Sequence, residues 1–136
     1  MFNYTYNTKS NILEGKAQAI IKLEDVQEHY SLINQADNLP RRLHVLIDCR
    51  NTIFQISPEE IAQAATKLDE AIRNFEYIAE AILIEQPYET VIATLFRNNI
   101  ENFNYRMEIF YSKESALKWL QTEDILDKSK PPVQIN

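Results

Sequence analysis

Few residues in this 136-residue chain have side chains suited to chemistry: His29, His44, Asp48, Cys49 and a scatter of carboxylates. His44, Asp48 and Cys49 fall together in LHVLIDC (43–49), a β-branched, apolar stretch that reads as a strand. Strand side chains alternate between faces, so His44 and Cys49, an odd number apart, point opposite ways. His44 and Asp48 share a face, but about 13 Å of strand rise separates them, too far for a hydrogen bond. A nucleophilic cysteine needs a base or a positive neighbourhood. Only Arg50 is near, and Cys49 reads as a small buried apolar residue. His29 has no second ligand at helical spacing, and Glu28 beside it points about 100° away. Two histidines and one cysteine without ligand spacing predict no metal site. The pairs Glu59–Glu60 and Asp69–Glu70 fall on helical stretches, as a solvated face does. A single glycine excludes glycine-rich phosphate loops. The expectation is a chain with no catalytic residues, no cofactor and no metal.

The elements that position these residues follow from periodicity. Four times a short apolar strand runs into an amphipathic helix, with Ser or Pro at most helix starts. Phe2, Tyr4 and Tyr6 alternate with polar residues as a half-buried strand does, and ILEGKAQAI (12–20) reads as its hairpin partner. Gly15 inside it suggests a bulge or a close backbone approach. Helical spacing follows over 23–37, with Glu24 and Asp25 in the first turn, and then the strand 43–49. Ser57-Pro58-Glu59-Glu60 is a capping box with proline at the first helical position, opening a helix over 58–75. A strand at 78–85, a helix from Pro87, a strand at 105–111 and a helix after Ser112 complete the pattern. Alternating strands and helices predict an α/β fold of about five strands in a mixed, mostly parallel sheet. One face would carry Tyr4, Ala17, Val45, Ile47, Ala81, Leu83, Met107 and Ile109. The other would carry Asn3, Thr5, Glu14, Lys16, His44, Asp48, Glu80, Arg106 and Glu108. Sheets covered on both sides have continuously apolar strands; this half-polar alternation predicts helices mainly on one face and an open reverse.

Composition narrows the function classes. Twenty acidic against fourteen basic residues give a net charge of −6, which opposes binding to nucleic acid. No run of about 18 apolar residues exists, so no membrane insertion is expected. The N-terminal stretch lacks the features of a signal peptide, and a cytoplasmic address follows by default. One cysteine excludes an internal disulfide. Residues 1–126 read as a single domain, and the proline-bearing stretch 127–136 as a flexible tail.

LIDCRN at a strand end, SPEEI at a helix start and the closing IFYSKESALKWL together resemble the SpoIIAA-like group related to STAS domains. That family joins sulfate transporters and anti-sigma-factor antagonists, and the resemblance spans residues 1–122. It implies a right-handed superhelix of strand–helix units and a non-catalytic regulatory or binding role, with nucleotides or apolar lipids among the ligands of relatives. In the antagonists a regulatory serine sits in an Asp-Ser-x-Gly turn. The equivalent place here is Gln55-Ile56-Ser57-Pro58, without the Asp or the Gly, so Ser57 reads as a helix cap before it reads as a phosphoswitch.

Two functional expectations follow. The first is a protein-interaction module, docking a second copy or an unknown protein partner through His44, Leu46, Asp48, Glu80, Ile82, Arg106, Glu108 and Phe110. Apolar residues set among charges suit such a patch. The second is a carrier or sensor of a small apolar or lipid-like ligand. It would enter where open α/β sheets hold ligands, past Phe54 and Tyr88 beside the strand C-terminal ends.

Overall fold

Period-two apolar residues build the strands and period-3.6 residues build the helices, in the order the alternation predicts. The computed structural model describes residues 1–129, with side chains described as far as Thr122. The elements are β1 (Phe2–Asn7), β2 (Ile12–Ala17), β3 (Ile20–Lys22), α1 (Leu23–Gln35), β4 (Arg42–Asp48) and β5 (Ile53–Gln55). A 3-10 turn (Pro58–Glu60) then leads into α2 (Ile61–Ile72), β6 (Tyr77–Leu83), α3 (Pro87–Asn99), β7 (Tyr105–Phe110) and α4 (Lys113–Ser129). Part of the expected tail, 127–129, is thus the end of α4; the rest, 130–136, lies outside the described residues.

Five strands form one mixed sheet in the order β1-β2-β4-β6-β7. β1 and β2 are an antiparallel hairpin, and every other pairing is parallel. Asn11 turns the hairpin with φ of 58°, a left-handed conformation that asparagine tolerates. The expected strand 12–20 breaks at Gln18-Ala19. Beyond the break, β3 leaves the main sheet and pairs in parallel with β5 as a separate two-stranded ribbon.

Register fixes the two faces. Leu13, Val45, Glu80 and Met107 form one row across the sheet, and Gly15, Ile47, Ile82 and Ile109 the next. Both rows face the layer made by α1, α2 and α3, where the larger apolar core lies. On the reverse run the rows Glu14, Leu46, Ala81, Glu108 and Lys16, Asp48, Leu83, Phe110. α4 returns over that reverse, packing Ala116 and Leu120 on Leu46, Ala79, Ala81 and Leu83 in a second core.

The expected faces therefore need correcting. The reverse is not left open, because α4 covers its β4–β6–β7 half, burying Leu46. On β6 the alternation is inverted: Glu80 and Ile82 point into the three-helix core, whereas Ala81 and Leu83 lie under α4. β6 is buried along its whole length, so its apolar residues carry no inside–outside signal, and one carboxylate was the only clue to direction. The small side chains of Ala79 and Ala81 give α4 room to approach.

Leu120 is the central apolar anchor of that return helix, so Leu120→Ala should cost about 2–5 kcal/mol, the range for deleting a buried leucine side chain. A urea midpoint unchanged from the parent would show that α4 does not seal the reverse face.

Candidate functional site

Glu80 is the most buried charged side chain among the described residues, 1% exposed in the middle of β6. A carboxylate without water must find donors in the protein. α1 and β7 supply them directly, and β1 supports them through His29. Tyr30 of α1 and Tyr105 of β7 donate their hydroxyls to Oε1 at 2.7 and 2.6 Å. His29 of α1 meets Oε2 through Nε2 at 2.8 Å. On the far side of the imidazole, Nδ1 lies 2.5 Å from the Tyr4 hydroxyl of β1. With Glu80 ionised, the network assigns the imidazole proton to Nε2, leaving Nδ1 to accept from Tyr4.

Gly15 makes the Tyr4 contact possible. Tyr4 lies directly opposite Gly15 in the hairpin. A Cβ there would come within 2.8 Å of Ile47 Cδ1 and 3.2 Å of the Tyr4 ring. The close approach read from the sequence is thus a tyrosine ring lying over bare backbone. That ring stacks on His29 at 5.7 Å between centroids, and Tyr30 stacks on Phe96 of α3 at 5.9 Å.

Burial alone would drive the Glu80 carboxyl upward. The hydrogen bond from His29, then those from the tyrosine hydroxyls, outweigh it and hold the group below its ordinary value. The Tyr4, Tyr30 and Tyr105 hydroxyls are pushed well up, first by burial and then by the Glu80 charge, so they remain neutral donors. Burial, followed by the charges of Asp48 and Glu80, likewise pushes the Cys49 thiol up, away from the reactive thiolate.

Beside this network lies a cavity of about 80 Å³ between the sheet and α1–α3. Ile47, Ile82 and Met107 form its sheet side, Ala64 its α2 side, and Ile92 and Ala93 its α3 side. Its surface is almost wholly hydrocarbon, although His29, Glu80 and Cys49 border it. The β3–β5 ribbon closes one end by turning Ile21 and Phe54 inward. The ribbon is tied down by Phe54 N–H donating to Glu89 Oε2 at 3.0 Å and by Tyr88 donating to the Ile56 carbonyl at 2.8 Å. Thr52 adds a bond from its hydroxyl to the Gln18 carbonyl at 3.0 Å.

Of the two mouth residues read from the sequence, Phe54 is on the cavity wall, whereas Tyr88 stands outside and braces the segment after β5. Ser57 precedes the 3-10 turn with extended backbone, and its N–H donates to Glu60 Oε1 at 3.0 Å, the reciprocal half of a capping box.

The expected interaction face is dispersed. His44 meets the Tyr77 hydroxyl at 2.5 Å, and Phe110 packs on Trp119 of α4. Glu108 pairs with Arg97 of α3 at 2.9 Å, and Arg106 is exposed on β7. Asp48 is held below the usual carboxylate range, chiefly by the Arg50 guanidinium, with which it makes two 3.0 Å bonds. Among the described residues, no group of three or more His, Cys, Asp or Glu side chains is placed to hold a metal ion. No helix among them is long and apolar enough to cross a membrane.

The sequence reading missed His29 and Glu80 as a pair, and missed Glu89 altogether. One usable signal existed: an isolated Glu inside an uninterrupted apolar strand has to meet a donor, and His29-Tyr30 is the one adjacent pair of such donors on an apolar helix face. No protein-family model and no curated protein matches this sequence.

Because the Glu80 value is depressed, its contribution to stability is present above the unfolded value, near pH 4.3, and is lost as pH falls through the folded value. Removing its charge should flatten that acid limb, so denaturation midpoints of Glu80→Gln should fall less steeply below about pH 4.3 than those of the parent. Parallel acid limbs would mean that the carboxylate is not held as described. At neutral pH, Glu80→Ala should leave Tyr30, Tyr105 and His29 without an acceptor, at about 1–3 kcal/mol for each buried unsatisfied donor, read as a lowered urea midpoint.

Proposed function

We propose that this protein is a non-catalytic binding module whose ligand is a small apolar molecule, held in the cavity between the sheet and α1–α3. The observation that carries this reading is the contrast between the cavity and its border. The polar atoms of His29 and Glu80 are engaged with one another and with three tyrosines, so a guest is offered hydrocarbon alone. Such a space favours a neutral, apolar ligand and penalises any ligand whose polar groups would go unpaired. Dry apolar cavities of about 150 Å³ take up benzene. The cavity here suits a smaller guest, or the end of an acyl chain entering past Phe54. The same geometry argues against catalysis, since no activated nucleophile or free general base faces the guest. A place in the SpoIIAA-like, STAS-related group accords with this role, and the order of one antiparallel hairpin followed by strand–helix units supports it.

A second reading, docking of a protein partner through the reverse face, keeps support only from the part α4 does not cover. There a groove of about 230 Å³ is lined by Asn3, Thr5, Lys16, Asp48, Arg50 and Lys113.

The cavity reading is tested by native mass spectrometry of freshly purified protein together with xenon titration followed on the methyl groups of Ile47, Ile82 and Ile92. A co-purified adduct and saturable shifts confined to those methyls are expected. Both should disappear in Ala93→Leu, which fills the space from α3. Absence of an adduct, with xenon shifts that are absent or untouched by the filling substitution, would refute ligand binding here.

A further inference from the structure

Of the side chains that line the cavity, Phe2, Val26 and Phe54 are half-buried and the others are buried. A guest has to enter past one of these three. Phe2 lies on β1, which pairs with β2 through six residues, and Val26 lies on the thirteen-residue α1. Phe54 lies on β5, a three-residue strand paired with the equally short β3 outside the main sheet. Ile53 and Gln55 on either side of it are exposed, so β5 is itself the outer wall there.

The far edge of β5 has no third strand beside it. Such an edge leaves a row of N–H and C=O groups to be satisfied by other means. Phe54 N–H finds Glu89 Oε2 at 3.0 Å, and the Ile56 carbonyl accepts from the Tyr88 hydroxyl at 2.8 Å. Two consecutive side chains from the first turn of α3 thus stand where a strand would. Glu89 is only 5% exposed, and it shares a helix face with Ile92 and Ala93, which form the cavity wall one turn further on. On its other side β5 is joined to the chain around β3, by Thr52 bonding the Gln18 carbonyl and Ile53 N–H bonding the Ala19 carbonyl.

We propose that β5 is the gate of the cavity, hinged on β3 and latched to α3 by Glu89 and Tyr88, so that a guest enters between Phe54 and the first turn of α3. This rests on the reading that the cavity takes an apolar guest, and adds how its entry is controlled. A latch of two side-chain bonds opens more readily than a strand ladder, in which a continuous row must break together. The carboxylate regains water as it lets go, which offsets part of the lost bond. Closed, the charge-assisted bond holds Phe54 against the guest. The latch therefore sets the rates of entry and exit, whereas the hydrocarbon walls set the affinity.

Xenon titration of the full chain, with entry and exit rates read by exchange NMR on the Ile82 and Ile92 methyls, tests this. Glu89→Gln removes the charge and Tyr88→Phe removes the hydroxyl, each keeping the side chain's shape. Each should raise both rates about threefold or more, and the two together about tenfold or more, with affinity changed less than about twofold. Hydrogen exchange of the Phe54 amide should quicken in Glu89→Gln with or without xenon. Asn11→Ala loosens the β1 hairpin at its left-handed turn residue and should leave the xenon rates unchanged. Circular dichroism verifies that the variants fold. Saturable binding with rates that neither α3 substitution alters would overturn the gate and leave the cavity reading in place. So would rates that Asn11→Ala raises equally, which would put the entrance at Phe2. Quicker Phe54 amide exchange without quicker xenon exchange would make the two side chains a brace alone, and overturns the gate as well. No xenon binding to the parent would overturn the cavity reading and the gate together.

Discussion

A carboxylate sealed from water is tolerable only if donors reach it from every side, and that requirement on Glu80 organises this molecule. Tyr30 and His29 come from α1, Tyr105 from β7 and, through the imidazole, Tyr4 from β1. The network therefore ties the antiparallel hairpin at one edge of the sheet to the strand at the other. Replacing such groups with hydrocarbon is often neutral or stabilising. What the ionic arrangement supplies is geometry: α1 can sit on the sheet in only one register if both of its adjacent polar side chains are to reach β6.

The architecture was legible where patterning is unambiguous. Alternating aromatics marked β1, the Ser-Pro-Glu-Glu cap marked the entry to α2, and Pro87 marked the start of α3. Period-two reasoning failed on β6 for a definite physical reason. That strand is covered on both sides, so Ala, Ile and Leu satisfy either face, and its one Glu was taken for a solvent-facing residue. The ribbon of β3 and β5 was illegible because three-residue strands are too short for periodicity. Their pairing depends on Glu89 and Tyr88, more than thirty residues along the chain from the segment they hold. The polar network was hidden similarly, since His29 and Glu80 are 51 residues apart. Contacts at that distance leave only the local sign of a lone Glu in an apolar strand.

The two sides of the sheet divide the labour. Against α1–α3 lie large branched and aromatic side chains, imperfectly filling the space around the Glu80 network. Beneath α4 the strands carry alanines and leucines, and the helix packs closely. On the side that holds the buried charges, a cavity adjoins the Glu80 network.

Gly15 has a further bearing on motion. Tyr4 reaches His29 by lying over a residue without a side chain, and Phe2 packs on the same imidazole at 5.0 Å between ring centroids, so β1 is anchored to the interior through His29. β1 is an edge strand paired on a single side, the kind of element that detaches well before the rest of a protein unfolds. Each such excursion takes one of the two hydrogen bonds from His29 and leaves its bond to Glu80 in place. Detachment of β1 would uncover the imidazole on the Tyr4 side while leaving it joined to Glu80, so the edge strand acts as the cover over the buried charge.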